Sequence, residues 1–284
     1  WMNHPEETQK EVLKSILKRN ESTLFGREHL FSVISDRVEF QKCVPLSTYS
    51  DLKPYIQAMV SGKEDILVRE PFHLWMRTAE MSGREKLLPC TGSVISSFQE
   101  AFLRLYTICA AEGMVTEEGK VISGLDAVYT RGIRGIPVAC SSFLAFLALK
   151  KIPILGKIFV PSSEIIRIAN WEKRFMRIAA QVKDQDVTAA VTDPLLFLVL
   201  LRKMMTEYRF LDIIDFCELW PNFSLIISGK SMDPYRAVFC SILQNVEFRQ
   251  FFCADGVPIA IQVDRKQGCT PLYDQNFLEF IPLI

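Results

Sequence analysis

Between residues 162 and 253 the chain alternates β-rich runs with helical segments, and few folds accommodate that pattern. Residues 187–191, 223–227 and 246–253 are apolar, β-branched or aromatic runs of strand length. Asp193-Pro194 opens a very apolar helix extending to about Tyr208, because an aspartate caps free amides and proline fits the first helical position. Asp233-Pro234 repeats that start before a helix ending near Leu243. Upstream, Ser162 and Ser163 predict the cap of one long helix that buries Ile165, Ile168, Phe175, Ile178 and Val182. Strands joined by helices of this length pair in parallel, since a tight turn cannot return the chain to the same end. The expected class is α/β, a mainly parallel sheet with crossover helices.

The N-terminal part reads differently. Residues 5–20 form a helix with Pro5 and two glutamates at its start and an apolar stripe of Val12, Leu13, Ile16 and Leu17. A second helix spans 51–61, with Leu52, Ile56, Met59 and Val60 on one face and Gly62 ending it. The expected organisation is a helical segment, 1–62, packed on an α/β domain, 63–284. Residues 120–123 and 127–130 read as short strands. Residues 143–149 fit either a buried helix or a wall facing a ligand.

One segment carries chemistry. Residues 72–76 are strand-like and lead into Thr78-Ala79-Glu80-Met81-Ser82-Gly83-Arg84-Glu85-Lys86-Leu87-Leu88-Pro89, and a helix with Val94, Phe98, Phe102, Leu105 and Cys109 on one face follows. A small-residue loop between strand and helix turns backbone N–H groups toward an anion, and a lysine adds a mobile positive charge. Thr78, Ser82, Gly83 and Lys86 suit that role, whereas Glu80 and Glu85 oppose it. In open α/β sheets ligands sit beyond the carboxyl ends of the strands, so loops 78–86, 228–233 and 253–257 are expected to line a pocket.

Composition narrows the remaining classes. Lys plus Arg and Asp plus Glu number 33 each, so the basic footprint of a nucleic-acid binder is missing. The longest apolar run, 195–201, falls short of the ~20 residues of a membrane-spanning helix. The eight cysteines include no C-x-x-C pair and there are only three histidines, which argues against structural zinc. Several cysteines sit in apolar stretches, as reduced thiols do in a cytoplasmic protein. A start at Trp1 and a strand-like end at 280–284 predict a fragment of a longer protein.

Several segments resemble the Gretchen Hagen acyl-acid amido synthetases, members of the adenylate-forming superfamily. Asn20-Glu21-Ser22-Thr23-Leu24-Phe25-Gly26-Arg27-Glu28-His29 is similar to that family's N-x-x-T-x-F/Y-G-R-E-H. Residues 44–56, from Val44-Pro45 through Tyr49 to Pro54-Tyr55-Ile56, resemble VP-x-x-x-Y-x-D-x-x-P-Y-I. Trp220-Pro221-Asn222, Asp233-Pro234-Tyr235-Arg236, Cys253-Ala254-Asp255-Gly256 and Leu278-Glu279-Phe280-Ile281-Pro282 follow in the family's order. The family's C-terminal part and lid domain find no match here.

The resemblance implies a two-step ligase using ATP and Mg²⁺. A small carboxylic acid forms an acyl-adenylate, and an amino acid or amine then displaces AMP. It assigns nucleotide binding to Thr78, Ser82, Gly83, Lys86, Gly229, Asp255 and Gly256, catalytic charge neutralisation to Lys86, and the metal to Asp255. The family loop is close to T-S-G-T-T-G-x-x-K-x-I-P. Against it Thr78, Gly83, Lys86 and Pro89 are kept, while Glu80 replaces a glycine. A carboxylate ~4 Å from a phosphate charge costs on the order of 4 kcal/mol at an effective dielectric of ~20. The loop is therefore expected to bind ATP weakly. The alternative is a non-catalytic relative, a pseudoenzyme serving as an interaction or scaffold module for a protein partner. For Asp255 a plain turn role stands beside the metal role.

Overall fold

The computed structural model describes residues 4–79, 85–115, 118–125, 129–153, 155–207, 215–266 and 268–282. They form two compact units. One comprises Trp1–Ser93, Arg131–Val138 and Leu272–Ile284, and the other Val94–Thr130 and Ala139–Pro271.

The first unit opens with α1 (Pro5–Asn20), followed by α2 (Leu24–Glu28), α3 (Arg37–Cys43) and α4 (Tyr49–Val60). Proline at its start presets the backbone of α1, and Glu6 and Glu7 in its first turn with Lys18 and Arg19 in its last favour the helix electrostatically. Its Leu13 and Leu17 are buried with Phe31 and Ile34. α4 begins with a reciprocal capping box between Thr48 and Asp51. Its Ile56 and Met59 pack on Ile66, Trp75 and Val138. Trp75 belongs to β1 (Phe72–Ala79), which pairs antiparallel with β2 (Glu85–Thr91). With β4 (Tyr129–Ile133) and β5 (Ile136–Cys140) they make a four-stranded sheet in the order β2-β1-β5-β4, so β2 is an edge.

The second unit is built on a seven-stranded sheet in the order β11-β10-β9-β8-β7-β3-β6. Its parallel part consists of β3 (Lys120–Ser123), β6 (Phe159–Val160), β7 (Val187–Val191), β8 (Leu225–Ser228) and β9 (Glu247–Ala254). β10 (Val257–Ile261) and β11 (Thr270–Pro271) add on antiparallel. One register row, Val160, Ile122, Ala190, Ile226 and Phe248, crosses all five parallel strands. Every residue of that row is buried in a single apolar cluster. α9 (Pro194–Thr206) places Phe197, Leu200, Leu201 and Met204 on the same cluster at helical spacing. α5 (Gly92–Ala111) and α6 (Ser141–Lys150) belong to this part of the chain, and the apolar 143–149 stretch is a helix whose Phe143, Leu144, Phe146, Ala148 and Leu149 are buried.

Two helix starts differ from the sequence expectation. The single long helix after Ser162 is two, α7 (Ser163–Ile166) and α8 (Trp171–Val182). The Asn170 side chain accepts the Lys173 N–H at 2.8 Å and starts a fresh helix; Ile165 still packs on the main cluster, partly buried, while Ile166 is the fully buried residue of α7. Asp193 caps α9 as expected, accepting from the N–H groups of Leu195 at 2.9 Å and Leu196 at 3.2 Å. Asp233 does not cap. α11 starts at Arg236 and runs to Leu243, and the Asp233 carboxylate meets the Arg236 guanidinium at 3.1 Å instead. Between them α10 (Phe216–Leu219) leads to Trp220, whose indole N–H donates to the Val182 carbonyl at 3.2 Å. No helix among the described residues is long and apolar enough to cross a membrane.

Because Asp193 satisfies two amides at once, Asp193→Ala is expected to cost about 1–2 kcal/mol of unfolding free energy in urea denaturation. An unchanged transition would show that water caps α9 equally well.

Candidate functional site

The segment holding Thr78 and Lys86 is a β-hairpin, which corrects the expected strand–loop–helix arrangement. Lys86-Leu87-Leu88-Pro89 lies within β2, and α5 begins only at Gly92. Among the described residues, therefore, a strand and not a helix N-terminus follows directly after this segment. Thr78 and Lys86 are direct partners across the two strands, and Ala79 faces Glu85. Alternation along the strands puts Thr78 and Lys86 on one face and Arg77 and Glu85 on the other. The Thr78 hydroxyl oxygen is buried and has no hydrogen-bond partner among the described residues. Such a group costs roughly 1–3 kcal/mol until something supplies a partner. Ser82, Gly83 and the opposing Glu80 lie outside the described residues.

Two side chains missed by sequence reasoning organise this hairpin. Arg77 pairs with Glu85 at 3.5 Å, which draws off one of the two acids set against phosphate. Tyr49, first residue of α4, reaches the β2 edge. Its hydroxyl accepts the Leu87 N–H at 2.9 Å and lies 3.5 Å from the Leu87 carbonyl as donor. The Lys86 ammonium lies 5.8 Å from the centroid of the same ring. Tyr49 stands inside the family-like segment at 44–56, but its partner 38 positions away is invisible to local pattern.

In the second unit, Gly229 follows β8 directly and is exposed. A Cβ added there would meet only the Cys253 sulfur, at 4.0 Å, which is ordinary contact. Burial pushes that Cys253 thiol up to about 12, so it stays protonated and apolar at neutral pH. Beside it, Lys230 forms an ion pair with Asp193, and Gln250 donates to the Lys230 carbonyl at 3.0 Å. The segments just after β7 and β8 are thus tied to each other and to the middle of β9. Asp255 and Gly256 form the two-residue turn between β9 and β10, with φ of 45° and 81°. Left-handed backbone at both positions is the tight hairpin turn that Asp-Gly favours. The turn role for Asp255 is therefore real, and it leaves the carboxylate on an exposed tip.

Further along β9, Arg249 is almost fully buried and held by Glu112 at 2.8 Å and Glu247 at 3.6 Å. Glu247 is its neighbour on the same face of β9, but Glu112 lies 137 positions away, where no local pattern reveals it. Among the described residues no group of three or more His, Cys, Asp and Glu is placed to hold a metal.

Solved structures share this architecture. A GH3.15 acyl acid amido synthetase matches with a TM-score of 0.72 at 17% identity, over 92% of this chain and 54% of that one. A 2-hydroxyisobutyryl-CoA ligase in complex with 2-HIB-AMP and CoA matches with a TM-score of 0.57 at 11% identity, over 93% of this chain and 58% of that one. The fold is that of the adenylate-forming ligases, the α/β class expected from sequence, and the chain spans about half the length of these solved relatives.

The GH3 family N-terminal domain matches residues 1–211, and the chain belongs to this family. A probable indole-3-acetic acid-amido synthetase, GH3.7, from Oryza sativa subsp. japonica is 37% identical over 91 residues, 29% of this chain and 15% of that protein. An indole-3-acetic acid-amido synthetase, GH3.15, from Arabidopsis thaliana is 30% identical over 131 residues, 41% of this chain and 22% of that protein. A jasmonoyl–L-amino acid synthetase, GH3.5, also from Oryza sativa subsp. japonica, is 26% identical over 129 residues, 44% of this chain and 22% of that protein.

Since neither space nor a positive φ requires glycine at 229, Gly229→Ala should change unfolding free energy by no more than ~0.5 kcal/mol. A loss well above ~1 kcal/mol would show that the fold itself needs glycine there.

Proposed function

We propose that this chain carries the ATP-handling part of an acyl-acid amido synthetase, with a phosphate turn weakened by Glu80. The observation that carries the reading is the Thr78–Lys86 pair. A buried hydroxyl without a partner stands directly across from a lysine, at the base of the turn where the family's phosphate motif falls. In the reaction, a carboxylate oxygen of a small organic acid attacks the α-phosphorus of ATP. The bond to pyrophosphate breaks, leaving an acyl-adenylate. The nitrogen of an amino acid or other amine then attacks the acyl carbon, AMP departs with the bonding pair, and the amine proton passes to solvent or a base.

Within this reading Lys86 neutralises phosphate charge, and Thr78 with Ser82 and Gly83 supplies hydrogen bonds to phosphate oxygens. Gly229 lets a nucleotide approach the backbone, and Gly256 permits the turn that carries Asp255. Mg²⁺, when bound, offsets charge on the phosphates and favours departure of pyrophosphate. An exposed carboxylate such as Asp255 fits it, because Mg²⁺ is commonly held by one or two carboxylates, substrate phosphates and water. The acids named for the relatives suggest a small apolar acid as substrate class. A cytoplasmic location goes with eight cysteines that form no disulfide among the described residues.

A second reading is supported by Glu80 itself. A family member with a carboxylate in place of the loop glycine suits a non-catalytic role, binding a protein partner through the retained framework. Calorimetry separates the two. ATP should bind this chain with Kd above ~100 μM, and Glu80→Gly should tighten it by about ten- to a thousandfold. Binding below ~100 μM by the parent chain would contradict the weakened turn. A flat titration in both forms would favour the non-catalytic reading.

A further inference from the structure

Nothing in the family resemblance gives Tyr49 a role beyond framework, yet its surroundings do. The Thr48–Asp51 capping box fixes the first turn of α4, so Tyr49 projects from a rigid start. Its hydroxyl occupies the outward-facing N–H and C=O of Leu87 on edge strand β2, groups that would otherwise invite another strand. Its ring, in turn, lies within cation–π reach of the Lys86 ammonium at 5.8 Å. One side chain thus holds the backbone next to Lys86 and offers its charged head a resting face.

We propose that Tyr49 is the positioning residue of Lys86. A lysine has four rotatable side-chain bonds, and fixing them carries an entropic cost at the moment of binding. A ring that confines the ammonium beforehand meets part of that cost during folding. The ring holds the charge loosely enough for a phosphate oxygen to outcompete it, since a charge-assisted hydrogen bond is the stronger interaction. Tyr49 does not touch the nucleotide in this account. It acts through Lys86, and the proposal rests on the ATP reading only in the second of its two tests.

The first test needs no nucleotide. Lys86 in the whole chain is acylated with an N-hydroxysuccinimide ester and the rate is followed by peptide mass spectrometry, with exposed Lys14 and Lys53 as internal references. Tyr49→Leu removes both ring and hydroxyl and should speed Lys86 acylation by about three- to tenfold at unchanged reference rates. Tyr49→Phe keeps the ring and should raise it by about twofold. A role confined to closing the sheet edge would speed hydrogen exchange at the Leu87 amide yet leave Lys86 acylation unmoved, and that result overturns the proposal. Should Tyr49→Leu unfold, seen as all lysines reacting faster together, Tyr49→Phe decides alone: no change at Lys86 overturns it.

The second test uses ATP affinity in the Glu80→Gly background. Combining Tyr49→Leu with Lys86→Ala should weaken binding no more than Lys86→Ala does alone, because both remove one function. Multiplying losses would overturn the positioning role. If that background binds no ATP, the nucleotide reading fails and the acylation rates still settle Tyr49.

Discussion

The second unit depends on one buried row, Val160–Ile122–Ala190–Ile226–Phe248, running across five parallel strands. Burial of Val160, Ile122, Ile226 and Phe248 is worth about 1.5–3 kcal/mol each relative to exposure, and the Ala190 methyl rather less. A slip of one residue in any strand would turn its apolar set away from α9 and bring the opposite face inward, so the row fixes register. Fixed register in turn fixes where the strands end. Asp193, Gly229 with Lys230, and the β9–β10 turn stand at those ends because the row allows them nowhere else. Arg249 follows Phe248 and so faces the other way, where Glu112 and Glu247 meet it.

The first unit solves a different problem. Its hairpin of β1 and β2 leaves β2 on the sheet edge, and an edge with open N–H and C=O groups is prone to mispairing. α4 answers with Ile56 and Met59 against Trp75 and with Tyr49 on Leu87. The residue next to Leu87 is Lys86, the lysine proposed to meet phosphate, so the contact that closes the sheet edge also borders the proposed site. The hairpin also changes how an anion would be held. Because β2 and not a helix follows the segment, the proposed anion site relies more on Lys86 than a strand–loop–helix arrangement would.

Local chemistry made much of this readable in advance. The Pro5–Asn20 helix has the boundaries expected from its proline, acids and apolar stripe. The 187–191 strand and the Asp193 cap are likewise local and were foreseen. Asp193 and Asp233 show where such reasoning stops. Both precede proline, yet one carboxylate finds two amides and the other finds the Arg236 side chain, and dipeptide identity does not distinguish them. The break at Asn170 escaped notice because apolar spacing continues across it at helical period. β2 was overlooked because Lys86-Leu87-Leu88-Pro89 is short and apolar, and such a run has no period of its own. Asp255-Gly256 did carry a hairpin cue, and the structure shows the turn it implies. Tyr49 with Leu87 and Arg249 with Glu112 meet across 38 and 137 positions, beyond any window of sequence, and the Arg77–Glu85 pair depends on a strand pairing that the sequence reading does not place.

The central claim is that the strand pair carrying Thr78 and Lys86 holds nucleotide phosphate, and amide chemical shifts address it most directly. Titrating ¹⁵N-labelled Glu80→Gly chain with ATP should move the amide resonances of Thr78 and Lys86 along saturable curves, and inorganic phosphate should shift the same pair more weakly. Saturable shifts confined to other segments, with Thr78 and Lys86 unmoved, would contradict the account.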